Sequence, residues 1–127
     1  MKLQNKQFGE FEFSEENILH FKNGLFGFEE YDKFLLIKSE NELFFWLNCI
    51  EQPELIFPVI GLRLVDDTYP QTEETEAFGI VTFNNDPKKA TVNLKAPVYI
   101  NQDNKEGYQT IIDQDKYMVN YKLFTEE

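Results

Sequence analysis

Short apolar segments of strand length recur from one end of this chain to the other, and no segment keeps a helical period over three turns. Turn segments rich in Gly, Pro, Asn, Asp and Glu separate them. A repeat of roughly 8 to 12 residues between such segments is typical of β-sandwiches and β-barrels. The pattern therefore predicts an all-β fold with antiparallel strands and at most short helical turns.

The predicted strands follow from period-two alternation or from short apolar runs. They are residues 8–13, 18–21, 34–38, 43–50, 55–60, 77–83, 91–94, 98–100, 108–112 and 117–121, with polar turns at 39–42, 51–54, 84–87 and 101–107. Segments 43–50 and 55–60 are apolar almost throughout, which predicts burial on both faces or a place in a covered barrel. Pro58 cannot donate a ladder hydrogen bond, so we expect an edge or a bulge there.

Residues 66–76 differ from the rest because they contain five acids and no Lys or Arg. The acids are Asp66, Asp67, Glu73, Glu74 and Glu76. A proline at position 70 interrupts any regular element there. The segment is predicted to be a solvated loop with at most one helical turn.

The chain contains enough apolar residues to fold without disulfide bonds. Its 127 residues match the length of one domain, and residues 1–127 are predicted to form a single domain. Hydrophobic residues make up 42% of the sequence, which supplies one core. Cys49 is the single cysteine, so it closes no intramolecular disulfide and cannot supply paired thiolates for zinc. A single cysteine without a disulfide partner favours a reducing compartment.

The charge balance restricts the class of partner. The sequence has 12 basic and 23 acidic residues, a formal net charge of −11, and Arg63 is its single arginine. Binding a phosphate backbone requires clustered Lys and Arg. We therefore expect no direct contact with nucleic acid, whereas a basic protein partner would be attracted.

The sequence also argues against a membrane location. The first residues lack the apolar stretch of a signal peptide. The longest uncharged apolar runs, at 43–50 and 55–62, are much shorter than the roughly 18 residues that a membrane helix requires. A cytoplasmic protein that does not contact membrane is the expectation.

Residues that could carry catalysis lack supporting motifs. His20 is the single histidine and lies in a predicted strand, where a structural role is favoured over a general base. Cys49 lies in an apolar strand, where a thiol packs as a small hydrophobe with a raised pKa. Neither Ser14 nor Ser39 lies in a nucleophile motif. Residues 101–107 depart from a calcium loop at its glycine and final glutamate positions, which favours a hairpin loop. No cofactor or metal site is predicted.

Four blocks of sequence together resemble one family. Residues 18–29 (ILHFKNGLFGFE) are similar to the I-x-x-F-x-x-G-L-P-G-F-E signature of the flagellar assembly factor FliW family. Residues 53–57 (PELIF) and 91–101 (TVNLKAPVYIN) resemble its P-E-L-x-F and T-x-N-L-x-A-P-x-x-I-N segments, and Gly107 and Gln109 match the G-x-Q that follows. The blocks come in the family's order. Phe26 departs from the pattern, since it stands where the family has proline.

The resemblance implies a β-barrel-like regulator of flagellum assembly that is not an enzyme and needs no cofactor. Members of this family bind CsrA, a small RNA-binding translational repressor, and also bind flagellin, and the resemblance implies that adding one partner releases the other. The same behaviour is expected here, with a chain that is monomeric when free. The residues alone leave open another class, an aromatic-lined barrel that binds or transforms a small molecule with paired carboxylates.

Two sets of loop residues are candidates for protein binding, because loops carry recognition on barrels. One set comes from turns in the family-like blocks and the other from the acidic loop. The residues are Pro53, Glu54, Asn93, Ala96 and Pro97 in the first set, and Glu73, Glu74 and Glu76 in the second. A filled barrel interior with an exposed patch would favour a binding module, whereas a deep apolar pocket with convergent acids would favour the enzyme.

Overall fold

The structure is a computed structural model that describes residues 1–6, 9–40 and 43–124. Most of its regular secondary structure consists of β-strands. In chain order they are β1 (Lys2–Asn5), β2 (Gly9–Glu12), β3 (Leu19–His20), β4 (Lys33–Lys38), β5 (Phe45–Cys49), β6 (Ile56–Gly61), β7 (Glu76–Thr82), β8 (Thr91–Val92), β9 (Val98–Asn101), β10 (Glu106–Gln109) and β11 (Tyr121–Lys122). One short helix, α1 (Leu62–Val65), and 3-10 turns at Glu15–Asn17 and Pro87–Lys89 complete the described elements.

Seven of the strands close into a barrel. Neighbours pair in the order β7-β6-β5-β4-β3-β10-β9, and β9 pairs back onto β7. The pairs are antiparallel except for β3 with β10, where His20 lies opposite Glu106 in a parallel bridge. The barrel and its short helical turns confirm the predicted fold class.

Side chains fill the interior of the barrel. They form one cluster of buried residues, namely Leu19, Phe21, Leu25, Phe34, Leu47, Cys49, Val59, Phe78, Val98 and Ile100. Phe21 and Phe34 in this cluster meet edge to face, with ring centroids 5.1 Å apart. These two aromatic side chains therefore serve packing.

Two further apolar clusters lie outside the barrel. Leu35 and Ile37 on β4 face away from the interior and pack with Leu3 and Phe13 beneath the β1–β2 hairpin. On another side, outward residues of β6, β7 and β9 pack under α1, the 66–75 loop and the C-terminal segment. Val59 belongs to the interior cluster and its neighbour Ile60 to this outer one. The second halves of β5 and β6 are buried, and both strands lie in a barrel whose outside is partly covered, which agrees with the second form of the prediction.

Several strand predictions require correction. Residues 117–121 do not form a strand, since β11 covers Tyr121–Lys122, and β10 ends at Gln109 before the predicted limit. The intervening chain instead makes isolated backbone bonds, such as the one that Ile112 N–H donates to the Lys95 carbonyl over 2.8 Å. Sequence reasoning also missed β1, in which Leu3 is buried.

The sequence predicts an edge strand or a bulge at Pro58, and the structure agrees only at the position of Pro58 itself. β6 pairs with both β5 and β7, so it is not an edge strand. Its pairing with β7 runs from Val59 to Gly61, however, and Pro58 pairs only with Trp46 of β5. The missing donor therefore lies where β6 has one neighbour.

The acidic loop is less solvated than predicted. Tyr69 is completely buried within it, and its hydroxyl donates to the Leu94 carbonyl. The helical turn also falls earlier, at α1, before the acids begin. Phe8 and residues 41–42, where a strand and a turn are predicted, lie outside the described residues. In the part of the chain that is described, helices are too short to cross a membrane.

Candidate functional site

The family-like turn at residues 24–28 closes over the barrel interior. Gly24 and Gly27 have φ angles of +65° and +87°, and a Cβ at Gly24 would lie 2.7 Å from the Phe28 carbonyl oxygen. Any other residue at position 24 would be strained and would clash. The turn buries Leu25 in the interior cluster and leaves Phe26 49% exposed. An apolar side chain is thereby presented to solvent at the tip of the turn.

Gln109 joins this turn to the 93–97 loop. Its Oε1 accepts the Phe26 N–H over 2.8 Å, and its Nε2 donates to the Ala96 carbonyl over 3.0 Å. Gln109 lies on β10 opposite Val98, a residue of the barrel interior. Three of the family-like blocks, the first of them 83 positions before Gln109, therefore meet at one amide side chain.

Within the 93–97 loop, Asn93 shapes the backbone. Its Oδ1 accepts the N–H groups of Lys95 and Ala96, both over 3.0 Å, and forms an Asx turn. Ala96 is half-buried, and Pro97 is buried with its carbonyl accepting the Thr110 N–H. These candidate residues hold the loop in place, and Pro97 presents little surface to a partner.

The 52–55 turn adjoins the same glycine-rich turn from another side. Buried Asn48 donates to the Pro53 carbonyl over 2.9 Å and thereby fixes this turn. Exposed Glu54 lines a surface cavity of about 300 Å³, whose other lining residues are Gly27, Phe28, Glu30, Tyr31, Gln52 and Leu55. We call the surface formed by residues 24–31, 52–55 and 93–97 the signature face.

The acidic candidates lie on a different surface. Glu73, Glu74 and Glu76 line an open cavity of about 460 Å³ that also contains Asp103 and Arg63. The Nε of Arg63 donates to the Tyr69 carbonyl over 2.8 Å, which ties α1 to the acidic loop. The two candidate sets thus lie on different surfaces, because the signature face and this cavity do not share lining residues among those described.

Exposed apolar residues on and around α1 escaped the sequence analysis. Leu62 is fully buried, whereas Leu64 is 71% exposed and lines the acidic cavity and an apolar groove of about 240 Å³. The groove is lined by Leu43, Phe44, Ile60, Leu64, Val65, Leu123 and Phe124. We call the groove, Leu64 and the acidic cavity together the α1 face. An isolated apolar run gives no local signal of which residues remain exposed.

Asp66 lies beside the α1 face, on the flank of α1 away from the acidic cavity. Thr68 donates hydrogen bonds to Asp66 Oδ1 from its hydroxyl and its backbone N–H, over 2.7 and 2.9 Å. These bonds lower the pKa of the Asp66 carboxyl. A general acid at neutral pH would need the opposite shift. Asp66 is therefore a fixed negative charge.

The residues considered for catalysis do not form a site. Cys49 is completely buried in the barrel interior, and burial raises the pKa of its thiol, as predicted. His20 is exposed on β3. Within residues 101–107, the hairpin loop between β9 and β10 covers 102–105, and Asn101 Oδ1 accepts the Asp103 and Asn104 N–H groups. Because the interior is filled and the cavities open on the surface, the small-molecule alternative is not favoured.

Comparison with known proteins points in one direction. The chain matches the family model described as FliW protein over residues 2–72 and 65–123. It is 35% identical to a flagellar assembly factor FliW of Lachnospira eligens, over 98% of this chain and 95% of that protein. It is 36% identical to one of Clostridium botulinum strain Hall, over 100% and 99%. A crystal structure of the flagellar assembly factor FliW superposes with a TM-score of 0.92 at 27% identity, covering 100% and 99% of the two chains.

Proposed function

This chain belongs to the FliW family of flagellar assembly factors, and from that premise we propose that it is a non-enzymatic regulator that binds CsrA and flagellin. In this role it sequesters CsrA and relieves the repression of flagellin synthesis. Free flagellin then occupies the factor, CsrA is released, and synthesis falls. The cycle links the production of flagellin to its consumption in the filament.

The observation that carries the proposal is the placement of the family-like blocks. They build one surface around the 24–28 turn, joined through Gln109 to the loop that contains Ala96, whereas the barrel interior is filled by side chains. A fold that places the turns of its family-like blocks on the surface and packs its interior with side chains suits a protein-binding module.

Charge supports the choice of partner. The net charge is −11, and the carboxylates of Glu73, Glu74 and Glu76 lie around one cavity with Asp103. RNA-binding surfaces are basic because they neutralise phosphates. A basic RNA-binding protein is therefore drawn to this chain, and its binding need not involve contact between this chain and RNA.

Size-exclusion chromatography with purified CsrA and purified flagellin tests the proposal. Each partner is expected to form a complex with this protein, and a saturating amount of flagellin should displace CsrA from the preformed complex. The displacement does not require a shared site. The protein alone, expected to elute as a monomer, is the reference.

Two outcomes would count against the proposal in different ways. A stable ternary complex at saturating concentrations would contradict the exchange mechanism while leaving both binding activities. Absence of both pairwise complexes would overturn the functional assignment itself.

A further inference from the structure

Leu64 is an exposed apolar side chain that lies between an apolar groove and an acidic cavity. With 71% of its surface exposed, it is the most exposed of the large hydrophobic residues described. One side of it is the apolar groove, which Leu43 and Phe124 also line at 46% and 42% exposure. The other side is the cavity lined by four carboxylates. A ligand that covers Leu64 therefore meets apolar surface and negative charge at once.

The dimensions of the groove suit a side chain better than a metabolite. Its volume of about 240 Å³ is below the roughly 300–1,000 Å³ of pockets that enclose small molecules. Phe44 at its wall also contacts the ring of Phe83, which is 49% exposed, with centroids 5.5 Å apart. The apolar surface thus continues beyond the groove. Adjoining exposed apolar residues are a feature of protein interaction sites.

The charges beside the groove are unbalanced on one side. Of the described residues that line the cavity, four are acids, namely Glu73, Glu74, Glu76 and Asp103, and one is a cation, Arg63, whose Nε donates to the Tyr69 carbonyl. On the opposite flank of α1, Asp66 and Asp67 lie near Lys116. Among the described lining residues, the balance of charge is therefore more negative on the side of the glutamates, next to Leu64.

We propose that the α1 face is the docking site for a basic amphipathic segment of a partner protein, which places an apolar side chain in the groove and Lys or Arg over the glutamates. This inference rests on the proposed function, in which the RNA-binding regulator CsrA is the partner with basic chemistry. It assigns that partner to the α1 face and not to the signature face.

Charge also argues against other occupants of the α1 face. A second copy of this chain would bring another net charge of −11 toward the glutamates, and like charges opposed across an interface are costly. An anionic membrane surface is repelled for the same reason. A basic protein segment is stabilised by both parts of the α1 face, since its apolar residue is buried in the groove while its cations pair with the carboxylates.

Surface plasmon resonance with purified CsrA tests this placement. Leu64→Ser and Phe124→Ser are each expected to weaken CsrA binding roughly tenfold, mainly through faster dissociation, because both remove apolar contact from the groove. Leu64→Met keeps the apolar contact and should bind like the wild type. Ile111→Ser is the matched control, since Ile111 is 60% exposed and does not line the described α1 face. Circular dichroism and thermal melting establish that each variant is folded.

The possible results separate this inference from the proposed function. If CsrA binds the wild type and both groove variants equally, the α1 face is not its docking site, although the function stands. If Ile111→Ser weakens binding as much as Leu64→Ser, the placement is also overturned. If CsrA does not bind the wild type, the CsrA part of the function and this inference fail together.

Discussion

The backbone N–H of Phe26 donates a hydrogen bond to the side-chain oxygen of Gln109, a residue 83 positions further along the chain, over 2.8 Å. The same amide donates to the Ala96 carbonyl over 3.0 Å. One side chain thus holds the turn that closes over the barrel and the loop beside it. The turn lacks the proline of the family pattern, so this bond supplies a restraint on the backbone at Phe26.

Replacing Gln109 should loosen the signature face. Gln109→Met keeps most of the side-chain volume but removes both hydrogen bonds, and we expect the free energy of unfolding to fall by about 1–3 kcal/mol. Urea denaturation followed by tryptophan fluorescence measures the change. Gln102→Met, at an exposed position in the β9–β10 hairpin loop, is the control and should be close to neutral. Equal effects of the two substitutions would show that the Gln109 bonds contribute nothing specific.

Gly107 should not tolerate a side chain, because Phe21 fills the space beside it. A Cβ at position 107 would lie 2.4 Å from Cζ of Phe21, inside the barrel. We expect Gly107→Ala to lower the free energy of unfolding by about 1–3 kcal/mol through overpacking. Phe21→Leu shortens the obstructing ring, so the double variant should be more stable than the sum of the two single effects predicts. Strict additivity in urea denaturation would contradict this explanation.

The acidic loop should accelerate association with CsrA. Replacing Glu73, Glu74 and Glu76 with Gln removes three charges from one cavity, and we expect slower association with a smaller change in dissociation. Raising salt should slow wild-type association in the same way, because screening acts over about 8 Å at physiological ionic strength. Surface plasmon resonance across a salt series measures both rates.

A matched triple variant separates local charge from net charge. Replacing Glu12, Glu15 and Glu16 with Gln removes the same number of charges from exposed positions that do not line the described α1 face. It should slow association less than the Glu73, Glu74 and Glu76 variant does. If the association rate changes neither with salt concentration nor in either triple variant, the acidic residues serve solubility alone.

Stability should decline at alkaline pH because of Cys49. Burial raises the pKa of this thiol above its ordinary value of 9.0. The unfolded chain therefore loses the thiol proton at a lower pH than the folded chain does. The stabilising contribution is complete below the unfolded value and diminishes as pH rises through it. Urea denaturation at several pH values between about 7 and 10 tests the slope.

Cys49→Ala is the comparison for this titration. The variant is less stable at every pH because it leaves a small cavity, but its stability should fall less steeply with pH. Tyr69 and Tyr99, whose pKa values burial also raises, contribute equally to both proteins at higher pH. Parallel pH profiles would rule out a contribution from the thiol.

Local sequence determined the secondary-structure class and the chemistry of the surface. Strand-length apolar runs and turn residues predict β4 to β7 within a few positions, because alternation and backbone propensity are properties of neighbouring residues. The same reasoning fails between β10 and β11, where Ile112 and Tyr117 pack against the outer cluster without a ladder partner. The excess of acids and the burial of Cys49 also follow from composition and local context.

Tertiary structure alone decided which surfaces exist. The parallel contact between β3 and β10 and the return of β9 to β7 close the barrel, and no local pattern encodes pairing between such distant segments. When both faces of a strand are apolar, alternation separates Leu35 from Leu36 but cannot tell which one lies inside. The meeting of Phe26, Ala96 and Gln109, and the exposure of Leu64 beside the glutamates, likewise arise only when the barrel brings distant residues together.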